Sequence, residues 1–265
     1  MGRPLRLLQI TDTHLFADPA GRLKGVTTET TARAVIESAR RRCPAPDLVL
    51  ATGDLVHDGS RAGYERLRAL FSVFDAPVAC LPGNHDDGRT LREVLAEGQV
   101  RWYRHLDLAG WRCVFLDSTQ PGEAGGHLAP DELAALEACL REGGASHVLV
   151  CLHHPPVRVG SAWLDSMLVD NGPALLELLR GAPRVRALVC GHIHQALDVD
   201  LDGLRLLGAP STCIQFLPDS RDFALDPAPP GYRWLELHAD GRIDTGIERL
   251  DALPPDLELT PEGYD

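Results

Sequence analysis

Lysine is almost missing from this chain: Lys24 is the only one in 265 residues. Acidic side chains outnumber basic ones 38 to 26, for a formal net charge of −12. A polyanion such as DNA would be repelled, and no stripe of basic residues offsets that field. The one basic cluster, Arg40 to Arg42, closes a predicted helix, where cations suit the helix dipole. Cysteine pairs are missing too. The seven thiols stand singly at positions 43, 80, 113, 139, 151, 190 and 213, with no C-x-x-C spacing, which argues against a disulfide framework. Cys80, Cys113, Cys151 and Cys190 lie inside apolar runs, where a free thiol behaves as a small buried hydrophobe. No apolar run approaches the roughly 20 residues of a membrane helix. Residues 1–6 enter an apolar segment directly, with no charged-then-apolar leader. These absences exclude nucleic acid and membrane as expected partners, and the expected location is the cytoplasm.

What is present suits an ordinary globular chain, 44% hydrophobic and 24% charged. Its length is that of one large core, and neither an internal repeat nor a long linker divides it. One domain over residues 1–252 is expected, followed by a proline- and acid-rich tail at 253–265. Short apolar runs at 5–10, 48–51, 78–81, 112–116, 148–152 and 185–190 read as strands. Amphipathic stretches at 28–42, 62–74, 131–141 and 173–180 read as helices. The first carries Ala32, Val35, Ile36 and Ala39 on one face, and Pro130 followed by Asp131 and Glu132 is a sound helix start. This alternation points to an α/β layered domain. Late in the chain the pattern changes: Asp202-Gly203 and Asp240-Gly241 each separate two apolar stretches and predict hairpins.

The chemistry lies immediately after the apolar runs. They are followed in turn by Thr11-Asp12-Thr13-His14, Thr52-Gly53-Asp54, Pro82-Gly83-Asn84-His85-Asp86, His153-His154-Pro155 and Gly191-His192-Ile193-His194. Ligands of open α/β sheets bind beyond the carboxyl ends of the strands, so these five blocks are expected to converge. Asp12 and His14, like His192 and His194, are two apart and would share one side of an extended segment. Glycine before Asp54, Asn84 and His192 would let the backbone turn sharply and approach closely. Mixed carboxylate and imidazole ligands suit manganese, iron or zinc rather than calcium. Seven ligands are too many for one ion and about right for two that share a carboxylate. A lone D-x-H or Gly-Asp is commonplace; five such blocks in order, each at a strand end, are not.

The ordered set Asp12-x-His14, Gly53-Asp54, Gly83-Asn84-His85-Asp86, His153-His154 and Gly191-His192-x-His194 resembles the calcineurin-like metallophosphoesterase superfamily. The flanking GDLVHDGSRAGY, LPGNHD, SAWLD, PSTCIQFL and GYRWLEL segments resemble more narrowly its class III cyclic-nucleotide phosphodiesterases of bacteria. The resemblance spans about residues 5–250. It implies a four-layer α/β/β/α sandwich of two facing mixed sheets. It implies one metal ion on Asp12, His14, Asp54 and His194, and a second on Asp54, Asn84, His153 and His192, with Asp54 bridging. Iron and manganese are the implied metals, with zinc also compatible. The implied reaction is hydrolysis of a 3',5'-cyclic nucleotide, cyclic AMP first, to the 5'-monophosphate by a metal-bound hydroxide. A homodimer rests on the resemblance alone.

His85 is needed by neither ligand set and takes the role of general acid for the departing ribose oxygen, or of charge partner to the transition state. His14, Asp54, Asn84, His85 and His194 are expected to bind substrate. The superfamily's protein phosphatases carry Asp-Arg-Gly where this chain has His57-Asp58-Gly59, which counts against protein-phosphatase activity and leaves open which carboxylate orients His85. His154 is expected to face away from His153, and His57, His105, His127, His147 and His238 to be surface or packing residues. The long segment 157–171, with Trp163, is expected to contact substrate. Two other readings stand beside this one. A non-catalytic scaffold predicts lost ligands, and none of the seven is lost. A broad-specificity phosphodiesterase or phosphomonoesterase acting on another small ester would use the same metal site.

Overall fold

The computed structural model describes residues 2–260; the end of the expected tail, residues 261–265, lies outside them. The first half of the chain runs β1 (Leu5–Gln9), β2 (Arg22–Leu23), β3 (Val26–Thr27), α1 (Thr28–Arg42), β4 (Leu48–Thr52), α2 (Arg61–Phe71), β5 (Val78–Leu81), α3 (Gly88–Val94) and β6 (Val100–Trp102). The second runs β7 (His105–Leu108), β8 (Trp111–Phe115), α4 (Pro130–Arg141), β9 (His147–Leu152), α5 (Gly172–Arg180) and β10 (Val185–Cys190). It continues with β11 (Leu197–Leu201), β12 (Leu204–Gly208), β13 (Gln215–Phe216), β14 (Leu225–Asp226), β15 (Gly231–Leu237) and β16 (Ile243–Arg249).

Two six-stranded mixed sheets result. One has the order β16-β15-β1-β4-β5-β6 and the other β11-β12-β10-β9-β8-β7. In the first, β1, β4, β5 and β6 are parallel and the β15–β16 hairpin adds antiparallel to β1. In the second, β8, β9, β10 and β12 are parallel, with antiparallel β7 and β11 at the edges.

Side-chain alternation sorts the core into layers. In β4, Val49 and Ala51 pack with α1 and α2 through Val35, Ile36, Leu67 and Phe71, while Leu48 and Leu50 face the other sheet. In β9, Leu149 and Cys151 meet that middle layer, and Val148, Val150 and Leu152 pack with α4 and α5 through Leu136, Leu175 and Leu179. These strands are buried on both faces, which is why they read as unbroken apolar runs. The arrangement is the expected α/β/β/α sandwich. Two buried polar side chains tie the sheets together: the Gln9 amide donates to Thr52 Oγ1 (2.9 Å) and to the Cys190 carbonyl (2.8 Å), and the Arg233 guanidinium donates to the Leu197 (2.7 Å) and Gly208 (3.1 Å) carbonyls. No helix among the described residues is long and apolar enough to cross a membrane.

The expected helices and hairpins form, with small shifts at their ends. The second helix stops at Phe71 rather than 74, where the Ser72 hydroxyl turns back to the Ala69 carbonyl (2.8 Å). Helix α3 and the short strands β2, β3, β6, β7, β13 and β14 are additions. α3 spans seven residues and buries only Leu91 and Val94, too few positions to establish a period. Its start is nevertheless specified locally, by the Asp87 carboxylate accepting the Thr90 amide (2.7 Å).

Candidate dinuclear metal site

All five sequence blocks meet where the parallel strands of both sheets end. The loops after β1 and β4 run side by side, with the Asp12 amide donating to the Gly53 carbonyl (3.0 Å) and the His14 amide to the Asp54 carbonyl (2.9 Å). From the other sheet, the Gly191 amide donates to the His153 carbonyl (3.1 Å). The blocks are not extended as expected. Asp12, His14, Asp54, His192 and His194 all have left-handed backbone, with φ of 53°, 43°, 49°, 68° and 48°. Asp and His tolerate this region better than most side chains, but each residue still costs about 1–2 kcal/mol. Asp12 and His14 therefore converge through two left-handed residues, not through strand alternation. Gly53 does turn through positive φ (96°), whereas Gly83 and Gly191 serve close approach. A Cβ on Gly83 would lie 2.3 Å from Asp54 Oδ1, and one on Gly191 2.4 Å from the Thr52 carbonyl.

Two groups of donor atoms form. The ligand atoms of Asp12, His14, Asp54 and His194 all lie within 4.8 Å of one another. His14 Nε2 is 3.3 Å from His194 Nε2, which is 3.4 Å from Asp12 Oδ1. In the second group Asn84 Oδ1 sits 3.2 Å from His153 Nε2 and 3.1 Å from His192 Nδ1. Asp54 lies between them, its Oδ2 3.8 Å from His14 Nε2 and 3.3 Å from His153 Nε2. That oxygen is buried and makes no hydrogen bond, and Asp12 Oδ2 shares this condition. Buried polar atoms are ordinarily satisfied. Two unsatisfied carboxylate oxygens among imidazole donors fit divalent cations, so the residues suit the metals that the sequence implies.

Electrostatics and tautomers agree. Burial pushes the imidazoles of His14 and His192 well below the ordinary histidine range, leaving lone pairs to donate. The His153 Nδ1–H donates to the Thr52 carbonyl and the His194 Nδ1–H to the Ile214 carbonyl, both at 2.8 Å, which turns each Nε2 toward the site. Burial lowers His153 as well, but the neighbouring Asp54 carboxylate outweighs it and lifts His153 to about 9. Burial raises Asp54 in turn, and the neighbouring imidazoles, His153 foremost, outweigh that, holding it well below the carboxylate range. Metal binding would displace the proton of this pair. The Phe216 ring stacks on His194 at 4.1 Å and 12°, fixing its plane.

His85 donates its amide to Asp54 Oδ1 (3.0 Å), and its ring borders a cleft of about 660 Å³ lined also by His57, Asn84, Arg92, Asp117 and Gln120. The neighbouring carboxylates are occupied by backbone amides: Asp54 Oδ1 by His85, and Asp58 by Ala17 (2.9 Å) and Ser60 (3.1 Å). Asp86 accepts from the Leu55, Val56 and Gly83 amides (3.0, 2.9 and 2.9 Å) and from the Tyr64 hydroxyl (2.9 Å). It thus clamps the Asp54 loop to the Asn84 loop. Burial and the Asp54 carboxylate push it up to about 7 against those donors.

Three residues depart from the sequence expectation. His154 does not face away: β9 ends at Leu152, so alternation no longer governs it, and its ring lies 4.8 Å from those of both His153 and His192. Ser118 Oγ lies 2.9 Å from its Nδ1, and burial lowers its imidazole to about 3. His57 is no peripheral packing residue, since it stacks on His85 and approaches His14. Asp86 stood inside a recognised block without a role. The signal for both was proximity to ligand motifs, His57 three residues after Asp54 and Asp86 two after Asn84. Cys213 also comes within reach of His14 and His194, but burial raises its thiol to about 12 and it points to the Asp12 carbonyl (3.6 Å). Trp163 packs edge-on against Phe216 at 4.9 Å.

A two-sheet sandwich with paired imidazole–carboxylate donor groups at its strand ends defines a metallophosphoesterase. Residues 5–196 match the family model for calcineurin-like phosphoesterases, and the chain belongs to that family. It is 43% identical over 97% of its length, and 94% of the relative's, to the 3',5'-cyclic adenosine monophosphate phosphodiesterase CpdA of Pseudomonas aeruginosa. Its identity to the protein of the same name in Escherichia coli K12 is 41%, over 98% and 95% of the two chains. Among solved structures it is similar to a dimetal phosphatase from Danio rerio (TM-score 0.61, 17% identity, 94% and 99% of the two chains covered), a likeness of fold.

Proposed function

We propose that this protein hydrolyses 3',5'-cyclic nucleotides, with cyclic AMP the principal substrate, to the 5'-monophosphate. The observation that carries the reading is the buried, unsatisfied Asp54 oxygen between two donor groups, beside His85 at the wall of an open cleft. The activity after which relatives covering nearly the whole chain are named supports the choice of substrate.

Asp12, His14, Asp54 and His194 would hold one ion, and Asp54, Asn84, His153 and His192 the other. Iron or manganese suits these oxygen and nitrogen donors, and zinc is compatible. When bound, such a pair supplies Lewis acidity that activates water and neutralises charge on the phosphoryl oxygens. The remaining work belongs to the chain. The buried donors hold their positions before substrate arrives, and the cleft beyond Asn84 and His85 receives the nucleoside. Water attacks phosphorus and releases a proton to solvent, the bond to the ribose 3'-oxygen breaks, and His85 gives that oxygen its proton.

The test is a substrate panel on protein loaded with Mn²⁺: cyclic AMP, cyclic GMP, bis(p-nitrophenyl) phosphate and p-nitrophenyl phosphate. Cyclic AMP should be converted to 5'-AMP with the highest kcat/KM. Fast turnover of the monoester with both cyclic nucleotides untouched would overturn the reading in favour of a broad small-ester phosphatase.

A further inference from the structure

Three imidazoles in the site present Nε2 toward the donor groups, and each needs an acceptor at Nδ1 to fix its tautomer. For His153 and His194 that acceptor is a backbone carbonyl, of Thr52 and Ile214. For His14 the structure offers a side chain: His14 Nδ1 lies 3.1 Å from His57 Nδ1. Two ring nitrogens this close must be a donor and an acceptor. His14 Nε2 faces His194 and Asp54, so as a ligand it carries no proton and the neutral ring bears its hydrogen on Nδ1. His57 Nδ1 is then the acceptor. The same His57 ring lies flat against His85, with centroids 4.5 Å apart and planes 19° apart, and is backed by Phe16 at 4.8 Å. Its backbone is fixed as well, the His57 amide donating to the Leu15 carbonyl (2.8 Å).

We infer that His57 is a positioning residue that orients His14 as a ligand through Nδ1 and supports the His85 ring through its face. The inference rests on the proposed role of His14 in holding an ion, and it adds a residue that neither ligand set contains. The two contacts use different properties of one side chain and can be separated. His57→Asn keeps an acceptor oxygen close to the place of Nδ1 but removes the ring. His57→Phe keeps a flat ring but removes the acceptor.

The experiment is Mn²⁺ titration of the metal-free full-length protein against a competing chelator, with far-UV circular dichroism and thermal unfolding of each metal-free variant. His57→Phe should weaken one of two Mn²⁺ sites by about 10–100-fold and leave the other unchanged. His57→Asn should bind both ions within a few-fold of the wild type. At saturating Mn²⁺, His57→Asn should then show the larger fall in kcat, with KM nearly unchanged. Wild-type binding by His57→Phe, or an equal loss in both variants, would overturn the inference. A third Mn²⁺ held by the wild type and lost in both variants would make His57 a ligand and overturn it as well. Because the titration uses no substrate, a protein that binds Mn²⁺ as expected yet leaves cyclic nucleotides intact would sink the proposed function alone.

Discussion

The two ends of the central strands follow opposite rules. At the amino ends the chain is regular and its charges are solvated. Asp47, before β4, takes a hydrogen bond from Arg3 (2.6 Å) that holds it below the usual carboxylate range, and it also accepts the Arg6 amide (2.8 Å). Such exposed pairs contribute about 0–1 kcal/mol. At the carboxyl ends, a few residues along the same strands, the backbone turns left-handed five times and Asp12, Asp54, His14 and His194 are wholly buried. Neither strain nor desolvated charge stabilises a fold. The three apolar layers supply the stability that holds these groups, so stability and function should respond to different substitutions.

The largest expected effect is at Asp54. Its replacement by alanine removes the carboxylate that lies between the two donor groups, and turnover should fall by on the order of 10⁴-fold with loss of metal. Elemental analysis is the check: two ions per chain in Asp54→Ala would refute the bridging role. His85→Ala should retain both ions yet slow cyclic-nucleotide cleavage by roughly 10²–10⁴-fold. Its activity on p-nitrophenyl esters should fall less, because that leaving group needs little protonation. An equal loss on both substrates would point to charge stabilisation, and a lost ion would make His85 a ligand.

Leu149→Ala sharpens the comparison from the other side. This residue is fully buried between the sheets, and its truncation should cost about 2–5 kcal/mol in denaturant unfolding. Metal content and kcat of the folded protein should stay at wild-type levels; a parallel fall in kcat would show that strand interiors and strand ends are not separable. Tyr64→Phe should have the smallest effect, about 1 kcal/mol of stability, because Asp86 keeps its three amide donors. Loss of an ion in this variant would mean that the clamp between the Asp54 and Asn84 loops controls ligand placement directly.

Much of this was legible from the residues. Unbroken apolar runs such as 48–51 and 148–152 announced strands covered on both faces, and the polar blocks after them announced that those blocks converge. What stayed hidden was set by contacts distant in the chain. Alternation assumes that a strand continues, so it misplaced His154, which lies beyond the end of β9, and misjudged how Asp12 and His14 come together. His57 looked peripheral because its partners are His14, 43 residues away, and the His85 ring. Helix α3 is too short to impose a period and is held by docking, with Leu91 and Val94 buried against the first sheet.

The proposed ligand sets have a bearing on how the molecule assembles. Each draws on both sheets: Asp12, His14 and Asp54 are completed by His194, and Asp54 and Asn84 by His153 and His192. His14 and His194 lie 180 residues apart, as do Asp12 and His192, which are joined by a hydrogen bond (3.1 Å). Neither half of the chain therefore owns a complete site, and neither site exists until the second sheet has docked on the first. With those ligand sets, metal affinity would act as a checkpoint on assembly, because only correctly docked sheets would be captured by the ion. At free metal about a thousand times Kd, that capture favours the finished sandwich over unpaired halves by about 4 kcal/mol.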